Sequence, residues 1–205
     1  MRDTWYGDHR DLVKWGTLAH LAERYALAGI VQVAYLRPGK RPPLDDCRAK
    51  VPISPVVWAF FRDLGAVRSL ATTLKCRIVL LDDTFVPRQQ YRQKIAEAVR
   101  AVEGAKIVLL DPDTGIAASR ATGKHVTTED IAAVWQVLAS RDWRAVYQHR
   151  YRDKGWREEA RAKLAAVCGT SVELFGAPDI ASDVILLAAQ RPLTKPQDPQ
   201  FSLPK

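Results

Sequence analysis

Six short apolar runs, each closed off by polar or turn residues, constrain this chain more than any other feature. They are IVQVAYL (30–36), RIVLL (77–81), KIVLL (106–110), AVYQH (145–149), SVELF (171–175) and DVILLAA (183–189). A strand that is apolar on successive positions is covered on both faces, the pattern of a parallel sheet. Helical spacing fills the gaps between them. Residues 10–28 put Leu18, Leu21, Ala22 and Tyr25 on one face ahead of Gly29, and residues 88–102, 128–139 and 153–167 repeat the pattern. Thr127 or Thr128 suits the cap of the third helix and Asp153 that of the fourth. Together these predict an α/β fold, a three-layer sandwich around a mainly parallel sheet of about six strands. In such sheets ligands gather beyond the carboxyl ends of the strands.

The 205 residues suit one domain, which we place at 1–190, with RPLTKPQDPQFSLPK (191–205) as an extended tail. The stretch 36–55 is the longest irregular connection, either a surface loop or a basic lid carrying Arg37, Lys40 and Arg41. A formal charge of +8 and a pI near 9.6 favour acidic partners. Nucleic acid is expected rather than membrane, because no long apolar run exists. Cys47, Cys76 and Cys168 lack paired spacing and read as small buried hydrophobes. The four histidines show no HxxxH spacing, so no metal is expected. The opening MRDTWYGDHR has no apolar signal core, which predicts a cytoplasmic protein.

Three segments place polar groups at the edges of ordered elements. In WYGDHRDLVKWG (5–16), Asp8 and Asp11 suit a helix cap, while Tyr6, Gly7, His9, Arg10 and Lys14 suit stacking on bases and contact with phosphate. In LLDPDTG (109–115), Asp111 and Asp113 flank a proline beside Thr114. The residue before proline is held extended, so such a turn can aim a carboxylate into a cleft. In VYQHRYRDKGWR (146–157), His149 stands beside Gln148, Arg150, Tyr151 and Arg152, groups able to hydrogen-bond a base. A fourth segment, LLDDTFVPR, repeats the strand-end pattern through Asp82 and Asp83. The first strand, by contrast, ends in AYLRPGKRPP without a GxGxxG-like loop, so no bound cofactor is expected.

The combination GDHRDLVKWG, LLDPDTGI and VYQHRYR resembles a family of small bacterial proteins with a GDxxDxxKxG start, a DPD-[TN]-G turn and a YQH strand end. That resemblance covers most of the chain. The start is also similar to that of the J-type ribosomal-RNA adenine methyltransferases, whose glycine-rich loop and DPPY motif are missing here. Uracil-type DNA glycosylases place a water-activating Asp in a strand-end DPY motif and a His at a second strand end. Asp111 before Pro112, and His149, resemble that placement, although the HPSP signature is absent. The chain further resembles anti-phage DNA glycosylases that remove glucosylated hydroxymethylcytosine.

These readings converge on a DNA glycosylase for a modified base. The flipped base would stack on Tyr6 or Tyr151 and be gripped by Gln148 and His149. Asp111 or Asp113 would stabilise the cationic sugar or activate water, and Asp8 would position water or a sugar hydroxyl. Gly7 and Thr114 would line the substrate site, and Lys14, Arg150 and Arg152 would hold phosphates. Alternatives are a methyltransferase relative using Asp82 and the DPD turn, a metal-dependent nuclease using Asp8, Asp111 and Asp113, and a non-catalytic nucleic-acid-binding defence protein.

Overall fold

The computed structural model describes residues 8–37, 43–45, 50–52, 64–85, 87–117, 121–151 and 154–193. Helix α1 (His9–Arg24) begins with a reciprocal cap: Asp8 accepts the N–H groups of Arg10 and Asp11, and Asp11 accepts the N–H of Asp8. Such a box satisfies donors that the first helical turn leaves over. Strand β1 (Gly29–Val33) follows. A hairpin of β2 (Pro43–Asp45) and β3 (Lys50–Pro52) lies within the connection read as irregular. A 3-10 turn (Leu64–Ser69) runs into α2 (Leu70–Leu74) and β4 (Arg77–Leu81). Then come α3 (Arg88–Arg100), β5 (Lys106–Leu110), the short strands β6 (Gly115–Ile116) and β7 (His125–Val126), and α4 (Thr128–Val137). The chain closes with β8 (Trp143–His149), α5 (Trp156–Cys168), β9 (Glu173–Phe175) and β10 (Val184–Gln190).

The main sheet has six strands in the order β4-β1-β5-β8-β10-β9. The first four are parallel, and β10 runs antiparallel to both of its neighbours. Alternate side chains of each strand enter opposite layers. On one face Ile30, Ile107, Leu109, Ala145 and Leu186 pack with Val13, Leu18 and Leu21 of α1. On the other, Val31, Val108, Leu110 and Val146 pack with Ile95, Ile131 and Leu164 of α3, α4 and α5. Each such aliphatic side chain stabilises the fold by roughly 1.5–3 kcal/mol through burial. The result is the expected three-layer α/β sandwich.

Boundaries differ where backbone conformation overrides apolarity. β1 stops at Val33 although the apolar run continues, because Tyr35 adopts φ +46° and gives its N–H to the Tyr91 hydroxyl. Helix α1 ends four residues early, where Ala26 turns left-handed. Helix α5 starts behind Gly155 without a side-chain cap, and Asp153, expected to cap it, lies outside the described residues. So do Lys40, Arg41, Cys47 and residues 194–205 of the tail. Cys76 and Cys168 are buried free thiols. No helix among the described residues is long and apolar enough to cross a membrane.

The chain passes from β1 to β4 on one side and then to β5 on the other, so the sheet reverses direction at β1. The carboxyl ends of β5 and β8 lie beside that reversal, and the start of α1 stands over them.

Candidate active site

The strand-end turn is tied to the sheet's reversal by its own backbone: Asp111 N–H donates to Val33 carbonyl at 2.9 Å. Its carboxylate then points into the α1 face of the sheet. Lys14 Nζ donates to Asp111 Oδ2 at 2.8 Å and to Asp11 Oδ1 at 2.6 Å, and Gln32 Nε2 from β1 donates to Asp111 Oδ2 at 2.7 Å. The Lys14 and Asp111 side chains are 2% and 1% exposed. Burial pushes the Lys14 ammonium down, but the adjacent carboxylates of Asp111 and Asp11 outweigh it and hold the group above its ordinary value. The ammonium also lies 4.6 Å from the centre of the Tyr147 ring. Burial first, then the carboxylates of Asp111, Asp11 and Asp8, push the Tyr147 phenol up, so it remains protonated.

A second group forms the wall. Arg10 Nε and Nη2 donate to Asp183 Oδ2 at 3.0 and 2.7 Å, and Nη1 donates to Asp8 Oδ2 at 3.1 Å. Asp183 precedes β10, whose first residue, Val184, faces His149 at the end of β8. The His149 ring meets Tyr147 edge-on with centroids 5.0 Å apart. Burial and the nearby Arg10 cation lower the imidazole pKa, against the opposing pull of Asp183, so His149 is neutral at pH 7.

The turn itself makes the third side. Asp113 is ion-paired with Arg37 from the segment leaving β1. Thr114 donates its N–H and its hydroxyl to the Lys124 carbonyl at 3.1 and 2.8 Å, and its own carbonyl accepts the His149 N–H at 3.2 Å. Gly115 has φ +109°, and a Cβ there would run into the Gln148 amide. This glycine is required twice over, by conformation and by space.

These groups enclose a cleft of about 480 Å³ lined by Asp8, Asp111, Asp113, Thr114, Tyr147 and His149, with Arg10, Asp11, Lys14, Pro112, Lys124 and Arg150 completing it. The structure therefore brings Asp8, Asp111, Asp113, Thr114, His149, Lys14 and Arg150 around one cavity. Three expectations about them need correcting. Lys14 is no surface phosphate ligand, since its three-donor head is buried between two carboxylates. Gln148 sits on the opposite face of β8 from Tyr147 and His149. There its oxygen accepts Ile116 N–H at 2.8 Å and its nitrogen donates to the carbonyls of Thr114 and His149, so no group is left to grip a base. Tyr151 packs on Trp156 and donates its hydroxyl to the Trp156 carbonyl, away from the cavity. Tyr6, Gly7 and Arg152 lie outside the described residues.

Sequence reasoning also missed Tyr147 as a member and the pairing of Asp11 with Lys14. Asp11 and Lys14 share a helix face at i, i+3, a legible signal. Tyr147 and His149 share a strand face by the period of two. Gln32, Lys124 and Asp183 carried no local signal, since each depends on contacts across the sheet, and the basic stretch holding Arg37 does not reveal its pairing with Asp113. Asp82 and Asp83 instead pair with Arg68 and Lys94 outside the cleft. Directly after β1, Ala34 N–H goes to the Leu81 carbonyl and Tyr35 N–H to the Tyr91 hydroxyl. Neither of these two amides is free to cradle a phosphate. Among the described residues no group of three His, Cys, Asp or Glu side chains is arranged to hold a metal ion.

No protein-family model and no curated protein matches the chain. Among solved structures it is similar to spermidine synthase from Thermotoga maritima, at 13% identity and a TM-score of 0.47, over 88% of this chain and 60% of that one. This chain thus spans about three fifths of that enzyme's length. It is also similar to a DUF574 family protein from Streptomyces avermitilis, at 12% identity and a TM-score of 0.42, over 90% of this chain and 82% of that one. Neither likeness is close enough to carry an activity over.

Proposed function

We propose that this chain hydrolyses the N-glycosidic bond of a modified base in DNA, with phage-modified cytosine as the candidate substrate. The observation that carries the reading is the charge balance of the cleft floor. At its buried base two carboxylates, Asp11 and Asp111, face one cation, Lys14. Such a floor favours a reactant that becomes positive, as a sugar does when its base departs. One net charge at 4 Å in a partly screened site is worth about 4 kcal/mol.

In the proposed reaction the C1′–N bond breaks and the base leaves with the bonding electrons. Water then adds to C1′ and gives up a proton. Neutral His149 is placed to accept that proton, and the cleft-lining carboxylate of Asp113 faces the cationic sugar. Asp111, locked below by Lys14 and Gln32, acts as fixed negative charge. Tyr147 remains a donor for a sugar or base oxygen.

The test is to incubate the protein with normal and glucosyl-hydroxymethylcytosine DNA and assay free base and alkali-labile sites. Base release should fall about 10²–10⁴-fold in Asp113→Asn and in His149→Gln with folding intact. Unchanged release in both variants would overturn the assignment. Methyl transfer is the second reading, favoured by one observation: the Asp111–Pro112 turn is bonded directly to the end of β1 at the sheet's reversal. S-adenosylmethionine binding in a calorimeter, without base release, would establish it instead.

A further inference from the structure

Two cations of the cleft stand apart from the rest. Lys124, in the loop before β7, and Arg150, at the exit of β8, both line the cavity. Among the described residues neither forms an ion pair, whereas Arg10, Lys14 and Arg37 are each held by carboxylates. We infer that the cleft receives one internal unit of a polynucleotide strand, with the phosphodiesters flanking that unit resting on Lys124 and Arg150. The identity of the unit in the cleft rests on the glycosidic reading above.

The electrostatics separate rim from floor. Two buried carboxylates, Asp11 and Asp111, against the one buried cation Lys14 leave the floor negative, which repels a phosphate. The two rim cations attract it and bring the whole site close to neutrality. A phosphate monoester buried in the cleft would meet the floor's excess carboxylate. A nucleoside unit whose phosphates stay at the rim would not.

The rim is also pre-organised. Lys124 and Arg150 are joined through Thr114, whose N–H bonds the Lys124 carbonyl and whose carbonyl accepts the N–H of His149, the residue before Arg150. Arg150 N–H is anchored in turn on the Asp183 carbonyl at 2.7 Å. Three neighbouring backbones span two strand spacings, about 9–10 Å. Two long side chains rooted that far apart suit two phosphates better than one. Neither root moves without breaking the lacing, so little ordering is needed on binding.

The test is a salt titration of binding, followed by fluorescence anisotropy of a labelled, unmodified single-stranded oligodeoxynucleotide. Lys124→Ala and Arg150→Ala should each lower the slope of log K against log salt by about 0.7, and the double variant by about twice that. Arg100→Ala, at the far end of α3 beyond the opposite edge of the sheet, should leave the slope unchanged. Arg150→Gln serves if the alanine variant fails to fold. Slopes unchanged in the rim variants would overturn the proposal, even if the protein releases bases. A mononucleotide that competes as well as the oligonucleotide would overturn it too. Lowered slopes in a protein that releases no base would sustain the rim assignment and sink the glycosidic reading alone.

Discussion

Lys14 reaches Asp111 at 2.8 Å across 97 residues of sequence, with both side chains out of solvent. This bond fixes helix α1 to the turn after β5 and so sets the depth of the cleft. It also means that the turn's first carboxylate is structural support as well as charge. Breaking one half of such a pair leaves an uncompensated ion in a low-dielectric interior.

Lys14→Met should therefore destabilise the protein by about 3–5 kcal/mol, measured by urea unfolding. Asp111→Asn in the same background should recover part of that loss, because it removes the stranded charge. Equal stability of Lys14→Met and wild type would show that the pair is solvated in solution.

Gly115→Ala combines a left-handed backbone with a collision against Gln148. A loss of about 1–3 kcal/mol is expected. Shortening the obstacle in Gly115→Ala/Gln148→Ala should give less than the sum of the two single losses, since the residues are in contact. A strictly additive double-mutant cycle would argue against the collision.

His149 supplies the pH dependence. Its folded pKa lies below the ordinary 6.5, burial being the first cause. The unfolded chain thus binds this proton more tightly than the folded one, and stability contributed here rises with pH through the region below 6.5. Base release should show an acid limb with a midpoint under 6.5, and His149→Gln should lose that limb. Asp183 has the same sign from a different cause, its pKa being lowered by the Arg10 hydrogen bond, so its contribution is lost only as pH falls below the usual carboxylate range.

Arg144 is a buried cation without a carboxylate partner among the described residues. It donates to the Ile131 carbonyl and to Cys168 Sγ, and its guanidinium stacks 5.0 Å from the centre of the Trp135 ring. Burial lowers its pKa to about 10. Replacing it by an apolar residue of similar length removes a desolvation cost, so Arg144→Met should be neutral or stabilising by about 1–4 kcal/mol. Thermal unfolding checks the sign.

Much of the architecture was readable because both-face burial writes itself as unbroken apolar runs. RIVLL and KIVLL became β4 and β5 without adjustment. The reversal of β10 was not readable, since VILLAAQ is equally apolar in either direction. At the site, the residue types at the strand ends included several that line one cleft, and the period of two could have separated Tyr147 and His149 from Gln148. What could not be read was who compensates whom. Arg37 meets Asp113, and Gln32 meets Asp111, only after the sheet is ordered, and no spacing in the chain encodes those encounters.

The reversed strand has a consequence for how the protein comes into being. On a ribosome, α1, β5 and β8 emerge long before Asp183, yet Arg10 and the His149 end of β8 need that carboxylate and its strand as partners. The cleft is thus finished only once Asp183 and β10 have followed the rest of the site out. A chain cut before Asp183 would hold the parallel strands β4, β1, β5 and β8 but leave Arg10 without the carboxylate that pins it against the cleft.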